Sequence, residues 1–181
     1  GSLLDPEEKL GVADFTASAL MRGTEKRDFQ RIYDALESVG ASFGFSSHTH
    51  TLGFGGRSLV EDLPLLVDML SDGLREPIFP AEHVEKLRTI HLAGHAIRAE
   101  DTRGMAEIVF DEILYEGHPY RHTGDGTPES IAEITRDDLV AFHEVNYGPR
   151  GMVIAVVGAI QPDDAVAKIE SILGDWENPD Q

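Results

Sequence analysis

The sequence contains no cysteine, which excludes disulfides, thiolate-bound metals and cysteine nucleophiles. It is poor in bases: 15 lysines and arginines stand against 33 aspartates and glutamates, a formal net charge of -18. A chain so charged offers no basic face to phosphates, so neither nucleic acid nor an anionic membrane surface is expected as a partner. It has no run of eighteen apolar residues, so no segment reads as a membrane span. No signal peptide is visible either, and composition leaves the localisation open between cytoplasm and periplasm. What is present suits one ordinary domain with a core: 181 residues, 41% hydrophobic and 27% charged. The acidity reads as a solvated surface, and basic peptides are the partners it would suit best.

Punctuation and periodicity divide the chain. Asp5 and Pro6 are a cap and a first-turn residue, and Val12, Phe15 and Ala19 then recur at helical spacing up to Gly23. A second helix is expected over 24–39, with Phe29, Ile32, Tyr33 and Leu36 on one face and Gly40 as its stop. Over 41–56 the period shifts to two: Phe43 and Phe45 alternate with small residues, and His48 and His50 would share one strand face. Leu63, Leu66, Val67, Leu70 and Leu74 mark a helix ending before Pro77. Val84, Leu87, His91 and Gly94 mark another, running to Glu100, and Met105, Val109, Phe110, Ile113 and Leu114 a third, ending near Gly117. Residues 118–131 read as a turn-rich loop, and Thr135 caps a helix carrying Leu139, Phe142, His143 and Tyr147. The continuous apolar run at 151–158, GMVIAVVG, is expected to be the central, buried strand of the sheet, and 161–176 a closing helix. The order is α+β, helices packed on a mostly antiparallel sheet, with no linker that divides 1–181 into two domains.

Several stretches together resemble the insulinase, pitrilysin and mitochondrial processing peptidase family of inverted-motif zinc peptidases. They are GSLLDPEEKLGVA at the start, RGT at 22–24, LESVGASFGFSSHTHT at 36–51 and GTPESIAEITRDDLVAFHEVNYGPRGMVIAVVGAI at 126–160. The resemblance covers nearly the whole chain. It implies one domain of the processing-peptidase-like metallohydrolase fold, with the family's first strand and a second similar domain lying outside these 181 residues.

The family's metal motif is H-x-x-E-H on the first helix, two histidines on one helical face with a glutamate that takes the proton from zinc-bound water. The matching positions here hold Asp14, Ala17 and Ser18, and the third-ligand position falls near Gly94 or His95. Asp14 alone could serve as a ligand; Ala17 cannot act as a base. No metal, no cofactor and no catalytic residue is therefore expected. The resemblance then implies a silent homologue whose partners are an active zinc-peptidase paralogue, or a second copy of itself, and extended or unfolded peptides. The alternative is a metallopeptidase in its own right with an unorthodox zinc site built on His91 and His95, which stand four residues apart on one helix. The family's edge strand accepts peptide by strand addition. Its counterpart is Ser42, Phe43, Gly44, Phe45, Ser46 and Ser47, where Gly44 weakens the strand and Phe45 is expected to crowd the peptide's pocket.

Overall fold

In a computed structural model, residues 1–179 and 181 are described. They cluster into two compact units interleaved along the chain: Gly1–Ala19, Ser46–Gly53 and Phe79–Phe142 form the first, and Leu20–Phe45, Phe54–Ile78 and His143–Gln181 the second. The fold is mostly helical with one small antiparallel two-stranded sheet, an α+β architecture.

The first unit is organised by α1 (Val12–Ala19) lying against α4 (Ala81–Ala99). Asp5 starts α1 from outside the helix: its carboxylate accepts from the backbone N–H of Gly11 at 2.7 Å and of Ala13 at 3.0 Å. That is the cap the sequence suggested, but it acts across a 3₁₀ turn (Glu7–Lys9), so the helix is eight residues long and starts at Val12 instead of directly after Pro6. Gly11 takes φ 91°, a conformation open to glycine and not to the neighbouring side chains. Val12, Phe15 and Ala19 of α1 and Val84 and Leu87 of α4 are buried. Ile131 of a short helix, α6 (Pro128–Glu133), and Leu139 of α7 (Arg136–Asn146) are fully enclosed. Between α4 and α6 in sequence lies α5 (Thr102–Leu114), which buries no residue at all.

The second unit is built on α2 (Phe29–Ser38) and α3 (Leu63–Arg75). Met21, Ile32, Leu36, Leu66 and Met69 form its core, and Phe43 and Phe45 pack onto it from the hairpin β1 (Ser42–Ser47) and β2 (Leu52–Arg57). The side chain of Asp72 is buried on α3 and is held by Lys26 at 2.8 Å and by Arg27. Such a pair is costly to break, because loss of the cations strands a buried charge. A closing helix, α8 (Pro162–Leu173), lies against α3, and Arg75 reaches Asp175 at 2.7 Å just beyond it.

Two expectations are corrected here. The run at 151–158 is not a strand: it has no paired neighbour among the described residues, and Val153 and Val157 are 83% and 98% exposed. Apolar composition favours a central strand, but an extended segment becomes a strand only where a neighbour supplies ladder hydrogen bonds. His48 and His50 do not share a strand face, because both lie in the loop between β1 and β2. Their rings go separate ways, His48 to the hydroxyl of Ser46 at 3.2 Å and His50 to that of Tyr120 at 2.7 Å. No helix among the described residues is long and apolar enough to cross a membrane.

Candidate functional site

Helical geometry puts Asp14 and Ser18 one turn apart on α1, with Ala17 beside them. Ala17 is buried, and a methyl group there can neither accept a proton nor bind a metal. Asp14 instead faces α4, where its carboxylate lies 3.7 Å from Nδ1 of His91. Burial, reinforced by the charge of Asp125 and opposed by His95, raises the Asp14 carboxyl to a pKa of about 6. Burial also lowers the His91 pKa, with His95 adding to the effect and Asp125 opposing it. At neutral pH the two therefore meet as a carboxylate and a neutral imidazole. The His91 ring also packs on Phe15, centroids 5.0 Å apart, and the guanidinium of Arg88 covers the same phenyl ring at 5.6 Å.

His95 is buried and bonded at both ring nitrogens. Nε2 donates to the carbonyl of Asp125 at 3.2 Å, and Nδ1 accepts from Arg98 at 2.7 Å. Arg98 closes the triangle with an ion pair to the Asp125 carboxylate. In this arrangement His95 has no lone pair left for a metal, and its neighbour Gly94 has no side chain to offer. The donor set a zinc would need does not assemble around α1 and α4: Asp14 has a carboxylate, Ala17 nothing, Ser18 a neutral hydroxyl. Among the described residues, no three histidines, aspartates or glutamates are grouped so as to hold a metal ion. The family's zinc thus does not fit the residues present.

Asp125 and Arg98 were missed by sequence reasoning. Arg98 stands three residues after His95, on the same helical face, which was a readable signal. Asp125 lay in a stretch read only as a turn, and nothing local ties it to α4. The same stretch contains α6, whose capping box was also legible: Thr127 accepts from the Ser130 N–H at 3.2 Å and Ser130 accepts from the Thr127 N–H at 3.0 Å.

At the hairpin, the six residues proposed to meet peptide, Ser42 to Ser47, do form one strand. It pairs with β2, and no third strand joins the sheet among the described residues. Phe45 does not crowd the exposed face. Its ring turns to the core, edge-on to Phe43 with centroids 5.2 Å apart, and seats against Gly73 of α3. A Cβ on Gly73 would meet that ring at 2.7 Å. Alternation along the strand then leaves Ser42, Gly44 and Ser46 on the opposite face, where a side chain at Gly44 would enter open space.

Residues 1–120 match the family described as insulinase (peptidase family M16), and residues 133–181 the family described as peptidase M16 inactive domain. An uncharacterised zinc protease of Mycobacterium leprae is 31% identical over 165 residues, which are 91% of this chain and 37% of that protein. The beta subunit of the mitochondrial-processing peptidase of Saccharomyces cerevisiae is 29% identical over 178 residues, 96% of this chain and 38% of its own. The crystal structure of a peptidase M16 inactive domain from Pseudomonas fluorescens is similar with a TM-score of 0.88 at 30% identity, covering 96% of this chain and 42% of that one. The chain thus spans little more than a third of the curated relatives it matches.

Proposed function

The chain belongs to the insulinase family of peptidases, M16, and from that premise we propose that it is a catalytically silent member acting as the partner of an active one. In this reading residues 1–181 are one domain of the family fold that helps to enclose a peptide and hold it against an active subunit's metal centre. The observation that carries the reading is the triplet Asp14, Ala17 and Ser18 on α1, at the spacing where the family's chemistry needs His, Glu and His. A general base contributes roughly 100- to 10,000-fold to such a reaction, and Ala17 has no group that could take its place. The occupied ring of His95 argues in the same direction.

The peptide contact is assigned to Ser42, Phe43, Gly44, Phe45, Ser46 and Ser47 of β1. A strand edge without a neighbour can take an extended peptide as an added strand, with backbone hydrogen bonds supplying affinity irrespective of sequence. The small face made by Ser42, Gly44 and Ser46 leaves room for the peptide's side chains, and the net charge of -18 favours basic peptides.

The test is reconstitution. An M16 subunit of the same source with an intact H-x-x-E-H motif is assayed on a mixed peptide library, alone and with this chain added. The reading expects cleavage to rise on addition and to fall back when β1 is blocked. An active subunit indifferent to this chain at tens of micromolar would remove the partner role.

A further inference from the structure

Helix α5 does not close against α4. Between the two helices and the segment 121–128, all in the first unit, lies a cavity of about 220 Å³. Met105, Ile108 and Glu112 line it from α5, three positions on one side of that helix, and Arg98 lines it from α4. Leu10 and Arg121 stand in the same wall, most of which is apolar. A mostly apolar cavity with a few convergent polar groups is the usual form of a small-molecule site. At about 30 Å³ per water it has room for on the order of seven waters, so it suits a molecule of about seven to ten non-hydrogen atoms.

The charges in the wall indicate which molecule. Arg98 donates one N–H to the carboxylate of Asp125 and one to Nδ1 of His95; Arg121 donates one to the carboxylate of Glu7 and one to Nε2 of His122. A guanidinium carries five N–H groups, so each keeps three to give. Glu112 is the complement: its carboxylate lines the same cavity and accepts no hydrogen bond and joins no ion pair among the described residues, the two arginines included. A ligand with a carboxylate alone would set a like charge against Glu112, and one with an ammonium alone would set a like charge against two guanidiniums. A zwitterion satisfies both ends, its carboxylate taking paired N–H groups from a guanidinium fork and its ammonium giving to Glu112. We propose that this cavity binds a free α-amino acid with an apolar side chain of the size of leucine or methionine. Arg98 and Arg121 hold its carboxylate, Glu112 its ammonium, and Leu10, Met105 and Ile108 its side chain. The assignment stands apart from the partner role, since it uses neither β1 nor the Asp14, Ala17 and Ser18 triplet.

The experiment is titration of the purified chain with L-leucine, followed by ligand-observed and amide NMR, beside 4-methylpentanoate, which lacks only the ammonium, and 3-methylbutylamine, which lacks only the carboxylate. The proteins are wild type, Arg121→Gln, Glu112→Gln and Ile108→Phe, the last filling the cavity from its apolar side; circular dichroism establishes that each is folded. The two polar variants keep the test intact should the larger side chain at position 108 disturb α5. The expected result is a leucine Kd on the order of 0.1–1 mM in wild type that rises at least tenfold in each variant. Both analogues bind wild type at least tenfold more weakly than leucine. In Glu112→Gln the preference for leucine over 4-methylpentanoate disappears, a change that a general loosening of the fold would not produce. No binding of leucine or methionine at 10 mM overturns the site. Equal affinity of wild type for leucine and 4-methylpentanoate overturns the amino-acid assignment in favour of simple carboxylates. A leucine Kd unchanged in all three variants overturns the placement in this cavity.

Discussion

Replacing Gly73 by alanine sets two opposed effects against each other at one atom. In the middle of α3, alanine is favoured over glycine by about 1 kcal/mol, because glycine loses more backbone freedom on folding. The new Cβ, however, would sit 2.7 Å from Cε2 and 2.9 Å from Cζ of Phe45, well inside contact distance. The ring cannot simply swing away, since Phe43 and the Met21, Ile32, Leu36, Leu66 and Met69 cluster surround it. Overpacking of this kind costs about 1–3 kcal/mol. Gly73→Ala should therefore be destabilising by a net of about 1 kcal/mol, a fall in Tm of roughly 2–4 °C for a chain of this size. In a Phe45→Ala background the obstacle is gone and the same substitution should become stabilising by about 1 kcal/mol. Urea denaturation of the four proteins of this cycle measures a coupling of about 2 kcal/mol. The same sign and size of effect in both backgrounds would refute the inward seating of Phe45, and with it the small outer face of β1.

Asp14 holds its proton to a pKa of about 6 in the folded state against an ordinary 3.8. Between pH 4 and 6 the unfolded chain thus loses a proton the folded one keeps, and stability falls as pH rises through that window. Asp14→Asn is expected to raise the free energy of unfolding measured in urea at pH 7.5 by on the order of 1–3 kcal/mol, and to change it little near pH 4; equal effects at both pH values would be inconsistent with the burial described. Asp5→Ala removes both bonds that start α1 and should cost about 1–2 kcal/mol at neutral pH, with Asp5→Asn costing less because one oxygen acceptor remains; denaturation curves of the two variants check the order. Gly44→Val should stabilise the hairpin by about 0.5–1 kcal/mol, since its side chain meets open space, yet weaken binding of a fluorescent extended peptide measured by anisotropy. Tighter binding in that variant would move the peptide away from this face.

Much of the helical content was readable because amphipathic period and punctuation agree. α3 ends before Pro77 and α4 starts after Pro80; Leu66, Val67, Leu70 and Leu74 of the first and Val84 and Leu87 of the second are buried as their spacing suggests, whereas Ile90 and Ile97 of α4 are exposed. Boundaries failed where a side chain acts at a distance. Asp5 caps α1 from six and eight residues away, and α2 starts only after Asp28, whose carboxylate takes the Arg31 N–H at 2.8 Å. The run at 151–158 failed for a different reason: its residues specify what a strand would be made of, whereas pairing is a property of what lies beside it. At the site, helix geometry fixes the relation of Asp14, Ala17 and Ser18, but their meaning was legible only through the resemblance to the family's H-x-x-E-H motif. The clamp of Asp125 on Arg98 and His95 joins residues about thirty apart through tertiary packing, and no local pattern announces it.

The most direct measurement of catalytic silence is zinc content by elemental analysis of the purified chain, beside cleavage of a mixed peptide library, for wild type, His91→Ala and His95→Ala. The account predicts well under one zinc per chain and no cleavage in all three proteins, because Ala17 supplies no base and His95 is committed to Arg98 and Asp125. One zinc per wild-type chain, lost together with peptidase activity in either histidine variant, would contradict it and establish a rebuilt metal site on α4.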